Sequence, residues 1–131
     1  MAGETDLDRL LASMAPVVAP ETYVFCTLKG EYGAYQELAP LASFREAEGL
    51  TLVISREKAV AHNIPFASVF KAITLTVHSS LDAVGLTAAV ATKLAEKGIS
   101  ANVIAAYYHD HIFVQAEKAE AALAALREFE S

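Results

Sequence analysis

The sequence has a single cysteine, few basic residues and no long apolar run. Because Cys26 is the only cysteine among 131 residues, no disulfide can form within the chain, which indicates a reducing compartment. No apolar stretch approaches the ~18 consecutive residues that a membrane-spanning helix needs. The first residues, MAGETDLD, are acidic and lack the basic start and apolar run of a secretory signal. We therefore expect a cytoplasmic protein without a membrane span.

Basic side chains are outnumbered. The sequence has ten Lys and Arg residues and sixteen Asp and Glu residues, so the net charge is −6 and the pI is near 5.1. The basic residues are scattered from Arg9 to Arg127, whereas a nucleic-acid-binding protein concentrates them on one face. We expect no nucleic-acid partner. The 54% of hydrophobic residues is ample for a core and excludes intrinsic disorder.

Short motifs of common enzyme classes are also missing. The sequence has no Gly-x-Ser-x-Gly, Walker loop, His-Glu-x-x-His or dinucleotide fingerprint. Cys26 lies in the apolar run 23–28, which is typical of a small core residue rather than of a nucleophile. Glu46 and Glu48 could act as an acid–base pair, but Gly49 follows at once and favours an exposed hairpin. We expect no enzymatic activity and no cofactor.

Hydrophobic periodicity predicts a strand, a helix, two strands and a helix in the second half of the chain. The first of these helices has Leu86, Val90 and Leu94 at every fourth position, and Gly98 suits its C-terminal end. Ser80 or Asp82 can cap its start. The predicted bounds are a strand at 69–77, a helix from 80 or 82 to about 97, strands at 101–108 and 112–115, and a helix at 117–129.

The first half has the same order with one element missing. Strands are predicted at 23–28, 41–47 and 50–55, and a helix at 56–62. The strand at 50–55 alternates, with Leu50, Leu52 and Ile54 on one face. The segment Lys29-Gly30-Glu31-Tyr32-Gly33 forms a turn or small loop in the place of the first helix. A short helix is predicted before this half, capped by Thr5 and ended by Pro16.

A weak internal repeat supports this pairing of the halves. Glu57-Lys58-Ala59 recurs sixty positions later as Glu117-Lys118-Ala119, and the same offset aligns Leu52 with Ile112 and Ile54 with Val114. We predict an α+β, ferredoxin-like protein of two tandem units, with antiparallel sheets covered by helices. The first unit is predicted at residues 1–64 and the second at 65–131.

The densest group of functional candidates joins a strand to a helix, at His78-Ser79-Ser80-Leu81-Asp82-Ala83-Val84-Gly85-Leu86. The start of a helix presents free backbone N–H groups and the positive end of its dipole, which suit a carboxylate or a phosphate. Asp82 can accept a hydrogen bond from an ammonium group. The alternative is structural: Ser80 and Asp82 cap the helix, and Gly85 relieves a packing clash. Taken alone, the residues favour this alternative, because caps are common.

A family resemblance arises at these residues. Asp82-Ala83-Val84-Gly85-Leu86, an alanine-rich helix and then Glu96-Lys97-Gly98-Ile99-Ser100-Ala101-Asn102-Val103 resemble an ACT domain. That family has an Asp-x-x-Gly opening to its first helix and a Glu-x-Gly-Ile turn into its second strand. The match covers about residues 69–129. Residues 46–53 resemble the leading half of small bacterial proteins with two ACT-like units, although the first unit lacks an Asp-x-x-Gly opening.

The resemblance implies a regulatory module without catalytic activity. ACT domains generally bind amino acids or other small metabolites, often at an interface between two units. One ligand site per chain is implied rather than two, and we expect a homodimer, because ACT units commonly associate through their sheets. The implied ligand-binding residues are His78, Ser79, Ser80, Asp82, Ala83, Val84, Gly85 and Leu86, with Asn102, Val103 and Ile104 contributed by a paired unit.

A second function class depends on His109-Asp110-His111. These side chains are potential metal ligands, and with Asp82 or Glu46 they suggest a small metal-dependent or acid–base enzyme. A metal site usually needs three or more convergent ligands, which alternation across a turn does not provide. A polar hairpin tip that faces water is the interpretation we favour, and we expect no metal.

Overall fold

The computed structural model describes residues 6–77 and 84–130. Within them the strands are β1 (Pro16–Leu28), β2 (Ala42–Glu46), β3 (Gly49–Ser55), β4 (Phe70–Leu75), β5 (Asn102–Ala105) and β6 (Asp110–Gln115). The α-helices are α1 (Leu7–Ala12), α2 (Arg56–Ala61), α3 (Leu86–Glu96) and α4 (Ala119–Arg127). Short 3₁₀ helices occupy Tyr32–Leu38, Ala116–Lys118 and Glu128–Glu130.

The chain divides into two compact units. The middle unit is Glu21–Phe70, and the terminal unit combines Met1–Pro20 with Lys71–Ser131. The strand β1 begins in the terminal unit and ends in the middle unit. The predicted boundary of the sequence repeat, after residue 64, stays a prediction.

The middle unit is built on three antiparallel strands in the order β2–β3–β1. Cys26 pairs with Leu52, and alternate residues of β1 and β3 point into one core. Leu50, Leu52 and Ile54 therefore share one face of β3, as their alternation predicts, and Val53 on the other face is also buried. Helix α2 is capped by the Ser55 hydroxyl, which accepts a hydrogen bond from the Lys58 N–H at 3.2 Å. The core residues are Val24, Cys26, Leu38, Leu50, Leu52, Ile54 and Ala59.

The terminal unit has the strand order β1–β4–β6–β5, with residues of α1, α3 and α4 in its core. Leu86, Val90 and Leu94 are buried in that core, as their spacing predicts. Gly98 ends α3 with a φ of +73°, and its N–H donates to the Ala95 carbonyl at 2.9 Å. The core also contains Leu10, Met14, Ile73, Leu75, Ile99, Ile112, Val114, Ala119, Ala122, Ala125 and Leu126. This architecture confirms the predicted α+β class with helices packed on antiparallel strand pairs.

Several predicted bounds need correction. Helix α3 begins at Leu86 rather than at residue 80 or 82, and β5 ends at Ala105 rather than at residue 108. The predicted loop in the first half is a turn followed by the 3₁₀ helix Tyr32–Leu38. Asp6 caps α1 by accepting a hydrogen bond from the Arg9 N–H at 3.2 Å, while Thr5 lies outside the described residues.

Within the described ranges, no helix has both the length and the apolar character that crossing a bilayer requires.

Candidate functional site

The predicted ligand site lies where β4 leads into α3. His78, Ser79, Ser80, Asp82 and Ala83 fall outside the described residues, so their roles stay predictions. The described part of the junction begins at Val84, whose side chain is 83% exposed.

Gly85 has a structural reason to be glycine. It is the residue before the first turn of α3, with a φ of +99°, which side-chain-bearing residues rarely adopt. A Cβ atom built there would lie 3.1 Å from the Leu7 Cδ2 atom of α1. The Gly85 carbonyl accepts the first helical hydrogen bond, from the Ala89 N–H at 2.9 Å. The packing role considered as the alternative is thus present, and a ligand role stays a prediction.

Only backbone groups of Leu86 remain available to a ligand. Its side chain is 3% exposed and belongs to the core of the terminal unit. The first N–H groups of any helix lack partners within the helix, and Gly85 has no side chain that could cap them. The start of α3 is therefore a place where N–H donors and the helix dipole can meet an anion.

The three predicted residues of β5 do not share a face. Val103 packs against the core that contains Leu86, whereas Asn102 and Ile104 alternate to the opposite side of the sheet. The Asn102 side-chain amide donates to the Phe113 carbonyl at 3.2 Å. Within one unit, Val103 therefore lies on the same side of the sheet as Leu86, whereas Asn102 and Ile104 lie on the opposite side.

Asp110 is a candidate that the sequence did not assign to this site. Asp110 is one of the residues around a narrow cavity that Leu86, Thr87 and Val103 also line, and this cavity leaves no room for water. Burial raises the pKa of the Asp110 carboxyl, while nearby His111 and His109 lower it by a smaller amount. The alternation of Asp110 with Ile112 and Val114 along β6 is the signal that places it on the core side. Asp110 is therefore half-buried, close to Leu86 and Thr87 of the first turn of α3.

The histidines around Asp110 have separate partners. The His109 Nδ1 atom lies 3.3 Å from the Val77 carbonyl, and the His111 Nδ1 atom lies 2.9 Å from the Thr74 hydroxyl. The water-facing hairpin tip is at 106–109, where the Ala106 N–H donates to the His109 carbonyl at 3.1 Å. The predicted tip is therefore displaced, and His111 is half-buried within β6. In residues 6–77 and 84–130, no three His, Cys, Asp or Glu side chains converge on a potential metal position.

The protonation of His111 yields a testable pH dependence. Burial, and then the charge of His109, lower the pKa of His111 below the ordinary imidazole value. The unfolded chain therefore binds the proton more readily, so stability falls as the pH drops through about 6.5. We expect His111→Gln to flatten the decline in the unfolding midpoint between about pH 7.5 and 5.5, as measured by urea denaturation. His62→Gln, at the end of α2, is the matched control and should retain the decline. Equal slopes for both variants would contradict this assignment.

The other catalytic candidates are a buried cysteine and two exposed glutamates. Cys26 is 7% exposed, and burial raises the pKa of its thiol, which opposes the thiolate form that a nucleophile requires. The Thr51 hydroxyl donates to the Glu46 carboxylate. Glu48 is exposed in the turn between β2 and β3. These contacts do not assemble an acid–base pair with a positioned partner.

Family models identify both halves of the chain. Residues 2–71 match an ACT domain, and residues 68–128 match a second ACT domain. No curated protein is significantly similar to the chain.

Solved structures extend this likeness. A protein of unknown function from Vibrio cholerae, described as a possible transport protein, is 60% identical, with a TM-score of 0.89, over 95% of this chain and 96% of that chain. The ligand-free regulatory subunit of aspartate kinase from Thermus thermophilus is 12% identical, with a TM-score of 0.62, over 92% and 99%. The aspartokinase alpha and beta subunits are 14% identical, with a TM-score of 0.61, over 90% and 98%. At these low identities, the aspartokinase likeness supports the fold alone.

Proposed function

Because the chain belongs to the ACT domain family, we propose that it is a regulatory module without catalytic activity that binds an amino acid. The proposed site is the junction between β4 and α3. The observation that carries it is the start of α3 at Gly85, beside the exposed Val84. The fold shared with a regulatory subunit of aspartate kinase is consistent with a module that acts on another protein.

The chemistry of the junction suits an α-amino acid. The backbone N–H groups of Leu86 and Thr87 can donate to a carboxylate, with support from the helix dipole. Asp110 lies beside these residues, and its carboxylate can accept from the ammonium group. We include Asp82 in the site because the family pattern has an acidic residue at that position. The proposed ligand residues of the junction are otherwise His78, Ser79, Ser80, Ala83, Val84, Gly85 and Leu86.

A metal-dependent enzyme at His109-Asp110-His111 has less support. Asp110 points to the core side of β6, and His111 to the other side, so the two cannot act on one ion from a single face. Cys26 is a free, buried thiol, which suits the reducing cytoplasm where we place the protein.

We further propose a homodimer. β2 is an edge strand of the middle unit and β5 is an edge strand of the terminal unit, and edge strands expose backbone groups that can pair with another chain. Phe44 of β2 is 71% exposed, as expected of a residue that a partner would cover. Sites of this family often form between units, so Asn102, Val103 and Ile104 of a second copy are the proposed contributors from the partner side.

A thermal-shift screen of the full chain tests the function. The standard amino acids, common nucleotides and divalent metal ions are added separately, and sedimentation of the same samples reports the oligomeric state. A ligand at a hundred times its Kd stabilises the native state by about 2.7 kcal/mol, which the melting temperature reveals readily. We expect a selective shift with one amino acid or a related group of them. A shift with a metal ion alone would instead support the enzyme, and no shift with any amino acid would contradict the proposal.

Two variants of Val84 locate the site. Val84→Asp adds a negative charge beside the start of α3 and should weaken the shift, because it repels the ligand carboxylate. Val84→Asn introduces a side chain of nearly the same shape as aspartate but without the charge, so this variant should retain the ligand-induced shift in melting temperature. The exposed position makes both changes compatible with folding. Equal shifts in the two variants would exclude the junction as the carboxylate site.

A further inference from the structure

The residues that follow α1 hold the end of β4. Just beyond that strand, the Thr76 N–H donates to the Met14 carbonyl at 2.9 Å, and the Thr76 hydroxyl donates to the Ala15 carbonyl at 2.8 Å. Ala15 has a φ of +44°, a left-handed conformation that is uncommon for alanine. Such a conformation persists where the surrounding contacts fix it, and the two hydrogen bonds from Thr76 are contacts of that kind.

Helix α1 also holds the start of α3. The Leu7 side chain lies so close to Gly85 that a Cβ atom built there would be 3.1 Å from the Leu7 Cδ2 atom. Leu10 and Met14 are fully buried in the core that contains Leu86. The short stretch from Leu7 to Ala15 therefore contacts both sides of the β4–α3 junction, at Thr76 and at Gly85.

We propose that α1 positions the end of β4 and the start of α3 relative to each other, and that ligand binding at the junction depends on α1. As a statement about the ligand site, this inference rests on the proposed function of the junction. When α1 leaves the core, its contacts with Thr76 and with Gly85 are lost together. The two sides are thus coupled through one element, and such coupling is reciprocal, so a change on either side affects the other.

A contact from another element provides the rival explanation. The His109 Nδ1 atom lies 3.3 Å from the Val77 carbonyl, so the hairpin between β5 and β6 also reaches the end of β4. If this contact positioned the junction, loss of the Thr76 hydroxyl would leave the start of α3 unchanged. The two explanations therefore differ in which substitution affects α3.

Amide hydrogen exchange of the full chain, followed by NMR without any ligand, separates them. The Ala89 N–H donates to the Gly85 carbonyl at 2.9 Å and reports on the start of α3, whereas the Ile99 N–H donates to the Leu94 carbonyl at 2.9 Å and reports on the other end of that helix. Thr76→Val removes the hydroxyl with little change of shape. We expect exchange about three- to ten-fold faster at Ala89 and unchanged at Ile99, because one hydrogen bond that holds α1 is lost.

A conservative variant and a matched control accompany this substitution. Thr76→Ser keeps the hydroxyl and should restore the exchange rate at Ala89. Thr74→Val removes a hydroxyl of the same strand that lies 2.9 Å from the His111 Nδ1 atom, so exchange at Ala89 should stay unchanged. From the other side of the junction, Leu7→Ala should speed exchange at the Thr76 N–H about ten-fold, because the helix that holds it has lost an apolar contact.

Three exchange results would overturn the inference. The first is an unchanged rate at Ala89 in Thr76→Val. The second is faster exchange at Ala89 in His109→Ala but not in Thr76→Val, which would assign the positioning to the hairpin. The third is equally faster exchange at Ala89 and Ile99, which would indicate a general loss of stability instead of a coupling through α1.

The ligand response is measured separately, as the shift in melting temperature that an equimolar mixture of the standard amino acids produces. We expect Thr76→Val to reduce this shift, and Thr76→Ser and Thr74→Val to retain it. A full shift in Thr76→Val would overturn the inference, because the junction would then bind without the contact to α1. No shift in the unchanged chain would contradict the proposed function, whereas exchange at Ala89 and Thr76 would still decide whether α1 couples the two sides.

Discussion

Replacing Gly85 with alanine is expected to lower the free energy of unfolding by about 1–3 kcal/mol. Two costs combine at this position. The φ of +99° is a conformation that alanine adopts only with strain, and the new Cβ atom would press against Leu7 at 3.1 Å. Urea denaturation followed by circular dichroism measures the loss.

Two other glycines of the chain separate these costs. Gly98 has a φ of +73° but no heavy atom within 4 Å of a built Cβ, so Gly98→Ala should pay the backbone cost alone. Gly33 has open space and no φ in the unfavourable range, so Gly33→Ala should change stability by less than about 0.5 kcal/mol. The expected order of destabilisation is Gly85, then Gly98, then Gly33.

A double variant isolates the steric part. Leu7→Ala removes the side chain that a residue at 85 would meet, so Gly85→Ala should cost less in that background than alone. The backbone part should remain and resemble the Gly98→Ala loss. If Gly85→Ala is neutral in the unchanged chain, the packing role of this glycine is wrong. A loss of ligand response without a loss of stability would then point to direct contact with the ligand.

The helix of the second half shows what periodicity predicts well. Leu86, Val90 and Leu94 recur every fourth residue because one side of α3 is buried, and burial is what places apolar residues at that spacing. For the start of the same helix, the sequence predicts residue 80 or 82, whereas α3 begins at Leu86. Potential cap residues precede Gly85 in the sequence. The left-handed backbone at Gly85 sets the start of the helix, and the spacing of apolar side chains does not predict that conformation.

Strand ends were the weakest predictions, for identifiable reasons. Pro20 is typical of a break between elements, yet β1 begins at Pro16 and continues through Pro20 to Leu28. The register of β1 with β3 covers only 23–28, so the missing N–H of Pro20 interrupts no bond on that side. The Lys71 ammonium donates to the Ala19 and Pro20 carbonyls at 3.3 and 2.7 Å. Lys71 of β4 thus provides hydrogen-bond donors for carbonyl groups of β1, a contact that the sequence around Pro20 does not predict.

The candidate sites were predicted only in part. The resemblance led to the β4–α3 junction, but the role of Asp110 depends on which side of β6 it points to, and that follows from the register with β5.

The internal repeat leads to the second large expected effect. Leu52 and Ile112 align at the sixty-residue offset, and each is at most 1% exposed in the core of its own unit. Leu52→Ala and Ile112→Ala should each lower the free energy of unfolding by about 2–5 kcal/mol, because each leaves a cavity among buried side chains. That is a large share of the ~5–15 kcal/mol that stabilises a typical domain.

Val60→Ala, on α2, is the control for both core variants. The side chain of Val60 is 54% exposed, so its truncation should change stability by less than about 0.5 kcal/mol. Urea denaturation of the three variants under one condition provides the comparison. If the repeat reflects equivalent packing in the two units, the two core losses should agree within a factor of about two, since both positions are central strand residues. If either variant lowers the free energy of unfolding by less than about 1 kcal/mol, the two aligned positions are not equivalent in packing, and the repeat is a similarity of sequence only.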